Sequence, residues 1–186
     1  MLRTLLCLLV SLSFSMAYAQ EDIADVRGMS EGTTVTIQGI ATNGDGLGII
    51  RYVRDETGAI AVYPGAGSVA GFADNVERGD LVEVTGPLKD YNGLLEIDPV
   101  MSYNVVSSGN PLPAALVTTP AGVGEETEAE LVQVNGVTFN AGGSLFSVGN
   151  YEFTANGERS EIYVRTGHSL IEIKSPLAIV NLTGIE

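Results

Sequence analysis

Four side chains are of the types that hold ring-shaped or charged ligands at a protein surface: Tyr52, Arg54, Tyr63 and Tyr91. Tyr52 and Arg54 lie two residues apart in an extended run, so period-2 alternation sets them on one face. A phenol ring there can stack on a base or a sugar, and a guanidinium can meet a phosphate. Tyr91 falls in Asp90-Tyr91-Asn92-Gly93, a hairpin-turn sequence, and Tyr63 ends another extended run. The same tyrosines also suit plain rim packing on a β surface.

The other reactive groups do not assemble into chemistry. His168, the one histidine, sits in Thr166-Gly167-His168-Ser169, and a nucleophile needs a base held by a third group. It reads as an exposed turn histidine. Asn43-Gly44-Asp45-Gly46 resembles the opening of a Ca²⁺ loop but has no acid at the closing distance, so it reads as a turn. Asp55-Glu56 and Asp90 suit turn formation better than paired catalysis. The glycines fall at hairpins rather than before a helix, which excludes a phosphate-binding loop. Asn181-Leu182-Thr183 fits a glycosylation acceptor, but within an expected strand that match reads as chance. The expectation is no enzyme, no metal and no cofactor.

Residues 1–20, MLRTLLCLLVSLSFSMAYAQ, place Arg3 before an apolar run from Leu5 to Phe14, then Ala17-Tyr18-Ala19. This order reads as a secretory signal peptide over residues 1–19, with an uncleaved anchor as the alternative. The run is shorter than the about 20 apolar residues a membrane span needs. Cys7 within it lacks the context of a lipid-attachment site. Cleavage after Ala19 removes Arg3 and the single Cys, leaving eight bases against 23 acids, a net of −15 where the whole chain carries −14. A secreted or periplasmic protein follows, with no disulfide and no membrane contact after cleavage. Its charge has the wrong sign for a general polyanion binder.

The rest, with 23 glycines and only 6% aromatics, reads as short strands and turns. After a helical turn or two at Asp22–Arg27, Thr33–Ile40 alternates as a first strand. Val35, Ile37 and Ile40 face a core there, with Gly39 as a bulge or bend. Ile49–Asp55 and Ala59–Tyr63 form a hairpin; counting back from Asp55 puts Val53 and Ile49 inward and Tyr52, Arg54 and Ile50 on the other face. Pro64–Asn75 reads as a loop, and Leu81–Gly86 and Leu94–Val100 as strands four and five. Arg51, Arg54 and Arg78 could then gather on this first unit. Five strands in about 80 residues without a long helix imply a small barrel or sandwich.

Residues 107–120, carrying Pro111, Pro113 and Pro120, read as a proline-stiffened linker, with an ordered loop as the alternative. Beyond them Glu130–Val137, Tyr151–Thr154, Glu161–Arg165 and Ile179–Gly184 repeat the first four strands weakly. No fifth follows, so the second unit should be an incomplete, less stable barrel with an open edge, part of a longer polypeptide.

Four runs carry a resemblance. They are Val35-Thr36-Ile37-Gln38-Gly39-Ile40, the hairpin Tyr52-Val53-Arg54-Asp55-Glu56-Thr57-Gly58-Ala59-Ile60-Ala61-Val62-Tyr63, then Arg78 to Gly86 and Asp90 to Ile97. Together they resemble the OB-fold domains of secreted bacterial nucleases of the YhcR type, common in exported proteins of Bacteroidota. The likeness spans residues 23–101 and returns more loosely from 127. A periplasmic single-domain bacterial OB family shares the D-x-T-G-x-I-x-V hairpin, but the tandem arrangement favours the modular type.

The resemblance implies an all-β chain: a five-stranded OB-fold barrel over 20–106, then a second, incomplete OB-like domain over 121–186. It also implies a binding face across strands two and three and the one–two and four–five loops, where Tyr52, Arg54, Tyr63 and Tyr91 fall. By that analogy the chain is a non-catalytic module that binds single-stranded nucleic acid beside a downstream catalytic domain. The acidic charge favours the alternatives, an oligosaccharide- or protein-binding module or a structural adaptor.

Overall fold

A computed structural model describes residues 20–186, so the expected leader over 1–19 lies outside the described residues. The first element is a single helical turn, α1 (Ile23–Val26), too short to hold its own shape. Asp55 holds it. One carboxylate oxygen of Asp55 accepts the Ile23 N–H at 2.9 Å, and the other accepts the Thr57 and Gly58 N–H groups at 2.6 and 2.9 Å. Thr57 Oγ1 in turn accepts the Ala24 N–H at 3.1 Å. The Asp-Glu-Thr-Gly turn therefore shapes its own hairpin and seats α1, whose Ile23 and Val26 are wholly buried. Burial alone would raise the Asp55 carboxyl, but these hydrogen bonds outweigh it and hold it below its ordinary value.

Six strands follow: β1 (Thr34–Ala41), β2 (Arg51–Arg54), β3 (Ala59–Val62), β4 (Leu81–Tyr91), β5 (Leu94–Ile97) and β6 (Ser102–Ser107). A short helix, α2 (Phe72–Asn75), precedes β4. The strands run in the order β1-β2-β3-β5-β4, and β4 pairs back onto β1 to close the barrel. All pairs are antiparallel except β3 with β5. This is the five-stranded, Greek-key OB-fold that the sequence implies. β6 adds a sixth strand on β4, in residues to which the sequence reading, ending its fifth strand at Val100, assigned no strand.

Two expectations about facing are corrected. Gly39 is not a bulge: β1 pairs with β4 without a register break from Thr34 to Ile40. A Cβ at Gly39 would lie 2.7 Å from the Arg54 carbonyl oxygen, so glycine is there to let β2 approach. Alternation then continues unbroken, burying Ala41 and leaving Ile40 half-buried. Ile49, expected inward, precedes β2 and is 48% exposed. The inward positions of β2 belong to Val53, as expected, and to Arg51, 2% exposed.

The second unit holds β7 (Leu116–Thr118), β8 (Leu131–Phe139), β9 (Gly149–Ala155), β10 (Glu158–Val164) and β11 (Val180–Ile185). They run in the order β10-β9-β8-β11, and β7 adds parallel to β8. Leu116–Thr118, read from sequence as linker, is thus already sheet. Val137, Phe139, Phe146, Phe153 and Val164 form a separate core. Here the penultimate glycine of the repeat is a true bulge. The register of β8 against β11 shifts between Val134 and Val137, and Gly136 sits at φ +73°. Among the described residues no helix is long and apolar enough to cross a membrane.

The units dock through charge. Arg27 Nη1 lies 3.0 Å from Glu128 Oε1, and Arg54 Nε lies 2.6 Å from Glu130 Oε2. The Glu128 carboxylate also accepts the Leu95 N–H at 3.4 Å.

Asp55→Ala should destabilise the first barrel by about 2 kcal/mol at neutral pH, as the N–H groups of Ile23, Thr57 and Gly58 lose their acceptor. With its folded-state pKa depressed, Asp55 contributes fully above about pH 4 and loses its contribution as pH falls through the folded value. Urea unfolding at several pH values checks this: the gap between the two proteins should narrow in acid.

Candidate functional site

Tyr52 is placed by the residues before β2. Asn43, buried at 4% exposure, accepts the Tyr52 N–H on its Oδ1 at 2.7 Å and donates its amide to the Ile50 carbonyl at 2.9 Å. The Thr42 backbone N–H and hydroxyl both donate to the Tyr52 carbonyl. The Asn-Gly-Asp-Gly cluster is therefore a turn that fixes strand two, as the sequence suggests. Tyr63 follows β3, its N–H donating to the Ile97 carbonyl at 3.0 Å. Tyr91 ends β4 just before Asn92 and Gly93, both at positive φ as a tight hairpin requires.

These three elements bring Tyr52, Tyr63 and Tyr91 to one cleft of about 340 Å³, shared with Ile49, Leu94, Lys89, Glu96 and Arg165. Tyr52 and Tyr63 are half-buried and Tyr91 is 57% exposed. The three rings thus form a graded wall, from embedded to free. Three of the four candidate residues share the site.

Arg54 does not join them. It is bound to Glu130 of the second unit, and neither Arg54 Nε nor Glu130 Oε2 meets any other polar partner among the described residues. Of the expected gathering of Arg51, Arg54 and Arg78, only Arg51 and Arg78 share a cleft, away from the tyrosines. Arg51 donates to the carbonyls of Val76 at 2.7 Å, Gly48 at 2.8 Å and Ile50 at 3.0 Å, and to that of Ala73. Burial lowers its basicity, and its work is to tie the loop after β1 to α2. Arg78 is exposed and lines that second cleft together with Arg51, beside Asp45, Asp74 and Glu77.

A second cation in the cleft, in addition to Lys89, comes from the second unit. Arg165, just past β10, donates to the Leu47 carbonyl across 118 positions of sequence. Its charge is felt at Tyr52, whose phenol burial raises and Arg165 partly lowers. Opposite it, Lys89 is held by Asp98 and lies 3.6 Å from Glu96, with its ammonium 5.5 Å from the Tyr91 ring centre. The hydrogen bond to Asp98 raises Lys89, and burial raises the Glu96 carboxyl. Sequence reasoning missed Lys89, Glu96 and Arg165. The strand register pairs Lys89 with Glu96, and alternation from Tyr91 was the available signal for Lys89. Nothing local marks Arg165.

Stacking rings beside a lysine held by two carboxylates, and an arginine that forms no salt bridge among the described residues, suit a ring-bearing ligand of low charge. They suit a polyphosphate less. Arg54→Met keeps the stem and removes the charge, leaving Glu130 unpaired at the docking surface. Calorimetry should show the second unit melting earlier, by a loss of about 1–2 kcal/mol, with the first transition unmoved.

No known family profile matches the chain, and no curated protein matches it. Among solved structures, the hypothetical protein ygiW from E. coli is similar at 20% identity, covering 52% of this chain and all of that one, with a TM-score of 0.38.

Proposed function

We propose that this chain is a non-catalytic binding module whose first barrel takes a short oligosaccharide along the Tyr52–Tyr63–Tyr91 cleft. The gathering of those three rings by β2, β3 and the β4–β5 turn carries the reading. The charge pattern selects the ligand class. Arg51 and Arg54 are spent on the protein itself, Lys89 is held by two carboxylates, and the chain as a whole carries −14. Sugar rings stack on phenols and offer hydroxyls to Glu96 and Lys89 without needing a cationic groove.

Single-stranded nucleic acid is the second reading, favoured by Arg165 beside the stacking rings. Both readings place the module outside the cytoplasm, as the leader sequence implies. Its likeness to YhcR-type modules implies an accessory role beside a catalytic domain.

Titration of the chain with neutral hexasaccharides and with oligo-dT, followed by tyrosine fluorescence and calorimetry at two salt concentrations, decides between them. Saccharide binding should be nearly independent of salt, and oligo-dT binding weak. Tyr52→Ala and Tyr91→Ala should each weaken saccharide binding by about fivefold, near 1 kcal/mol per ring, while Arg54→Ala leaves it unchanged. Tight oligo-dT binding that falls steeply with salt and is lost with Arg165→Ala would establish the second reading.

A further inference from the structure

Of the two cations in the tyrosine cleft, one is unspent. Lys89 is held by Asp98 and Glu96, whereas Arg165 makes no salt bridge among the described residues. Its hydrogen bond to the Leu47 carbonyl engages Nη1 and leaves Nε and Nη2 without a partner among those residues. The side chain is exposed, so this part of the planar guanidinium fork is open to a ligand. Such a fork fits a carboxylate through two parallel N–H···O bonds.

The charge of the lining sets this cleft apart. It holds two bases and one acid, and that acid, Glu96, is 3% exposed and lies 3.6 Å from Lys89. Three other clefts are lined by more acid than base. One has four glutamates with Arg27, one has Glu161 and Glu186 with no lysine or arginine, and one has three acids with Arg51 and Arg78. In a chain that carries −14, the cleft of the stacking rings is where an anionic group meets least repulsion. Arg165 is close enough to Tyr52 to pull its phenol down against the effect of burial. A ring stacked on Tyr52 therefore brings its substituents into the field of the guanidinium.

We propose that Arg165 makes the cleft selective for acidic saccharides, seating the carboxylate of a hexuronate ring that stacks on Tyr52. This rests on the saccharide reading of the cleft and adds the sugar class to it. One open cation takes one carboxylate, and carboxylates on every ring would meet an otherwise acidic surface. Uronates that alternate with neutral sugars fit best. The rings belong to the first unit and Arg165 to the second, so the seated carboxylate joins the two.

Two hexasaccharides of alternating N-acetylglucosamine and glucuronate test this, one with free carboxylates and one methyl-esterified, followed by tyrosine fluorescence. The free acid should bind about three- to fivefold more tightly than the ester at low salt, the effect of one exposed ion pair. That advantage should shrink at high salt. Arg165→Gln should bring the ratio of the two affinities to about one, and Arg165→Glu should reverse it. Loss of the Leu47 contact would alter both ligands alike, so the ratio reports the charge alone. An ester that binds through Tyr52 as tightly as the acid would overturn the inference and leave the saccharide reading standing. If no hexasaccharide binds, both fall. A preference for the acid that survives Arg165→Gln would also overturn it.

Discussion

β4 is hydrogen-bonded to three other strands, and the cleft exists because of that. Leu81 to Pro87 pair with β1, Leu81 to Thr85 also carry β6, and Leu88 to Tyr91 pair with β5. One strand can pass between neighbours in this way only where its backbone can come close to another. Gly86 is that point: a Cβ there would meet the Pro99 carbonyl oxygen at 2.4 Å. Gly39 does the same for β1 against β2. These close approaches seat β2 on β1 and the β5–β6 connection on β4, and the pairing of β1 with β4 closes the barrel. Closure then sets Lys89 beside Glu96 and carries Tyr91 over the open side of β2 and β3, where Tyr52 and Tyr63 wait.

The second barrel shows what the same pattern does without that closure. Its glycine at the matching place, Gly136, makes a bulge, because no strand presses on it and a Cβ there would meet nothing. Its core is smaller and its apolar exposure greater: Tyr163, Ile173, Leu177 and Ile179 are all more than half exposed. The first barrel is therefore the better packed of the two. Docking through Arg27–Glu128 and Arg54–Glu130 lets the second lend it Arg165.

The fold was largely legible because alternation and turn chemistry are local. The Asp55-Glu56-Thr57-Gly58 turn, the Asn92-Gly93 turn and the Val35–Ile37 core positions all emerge from spacing alone. Three of the four candidate residues share one cleft, although a strand position, a strand end and a turn singled them out separately and the one alternation pair, Tyr52 with Arg54, is split. The charges were not legible. Arg51 and Arg54 look alike in sequence, yet one is inward and bound to carbonyls and the other is bound to a domain that begins after 110. Where a cation is spent depends on contacts between residues far apart in sequence, and so does the arrival of Arg165. Gly39 and Gly136 carry the same lesson: one pattern serves a close approach in one barrel and a bulge in the other.

The central claim is that Tyr52, Tyr63 and Tyr91 line one binding surface while the remaining tyrosines do not. Labelling the chain's seven tyrosines with fluorine and following their ¹⁹F resonances during saccharide titration tests it directly. The account predicts that the resonances of Tyr52, Tyr63 and Tyr91 move together with one affinity, and that those of Tyr103, Tyr151 and Tyr163 stay in place. Movement of Tyr163 alone, or of all the rings equally, would contradict it.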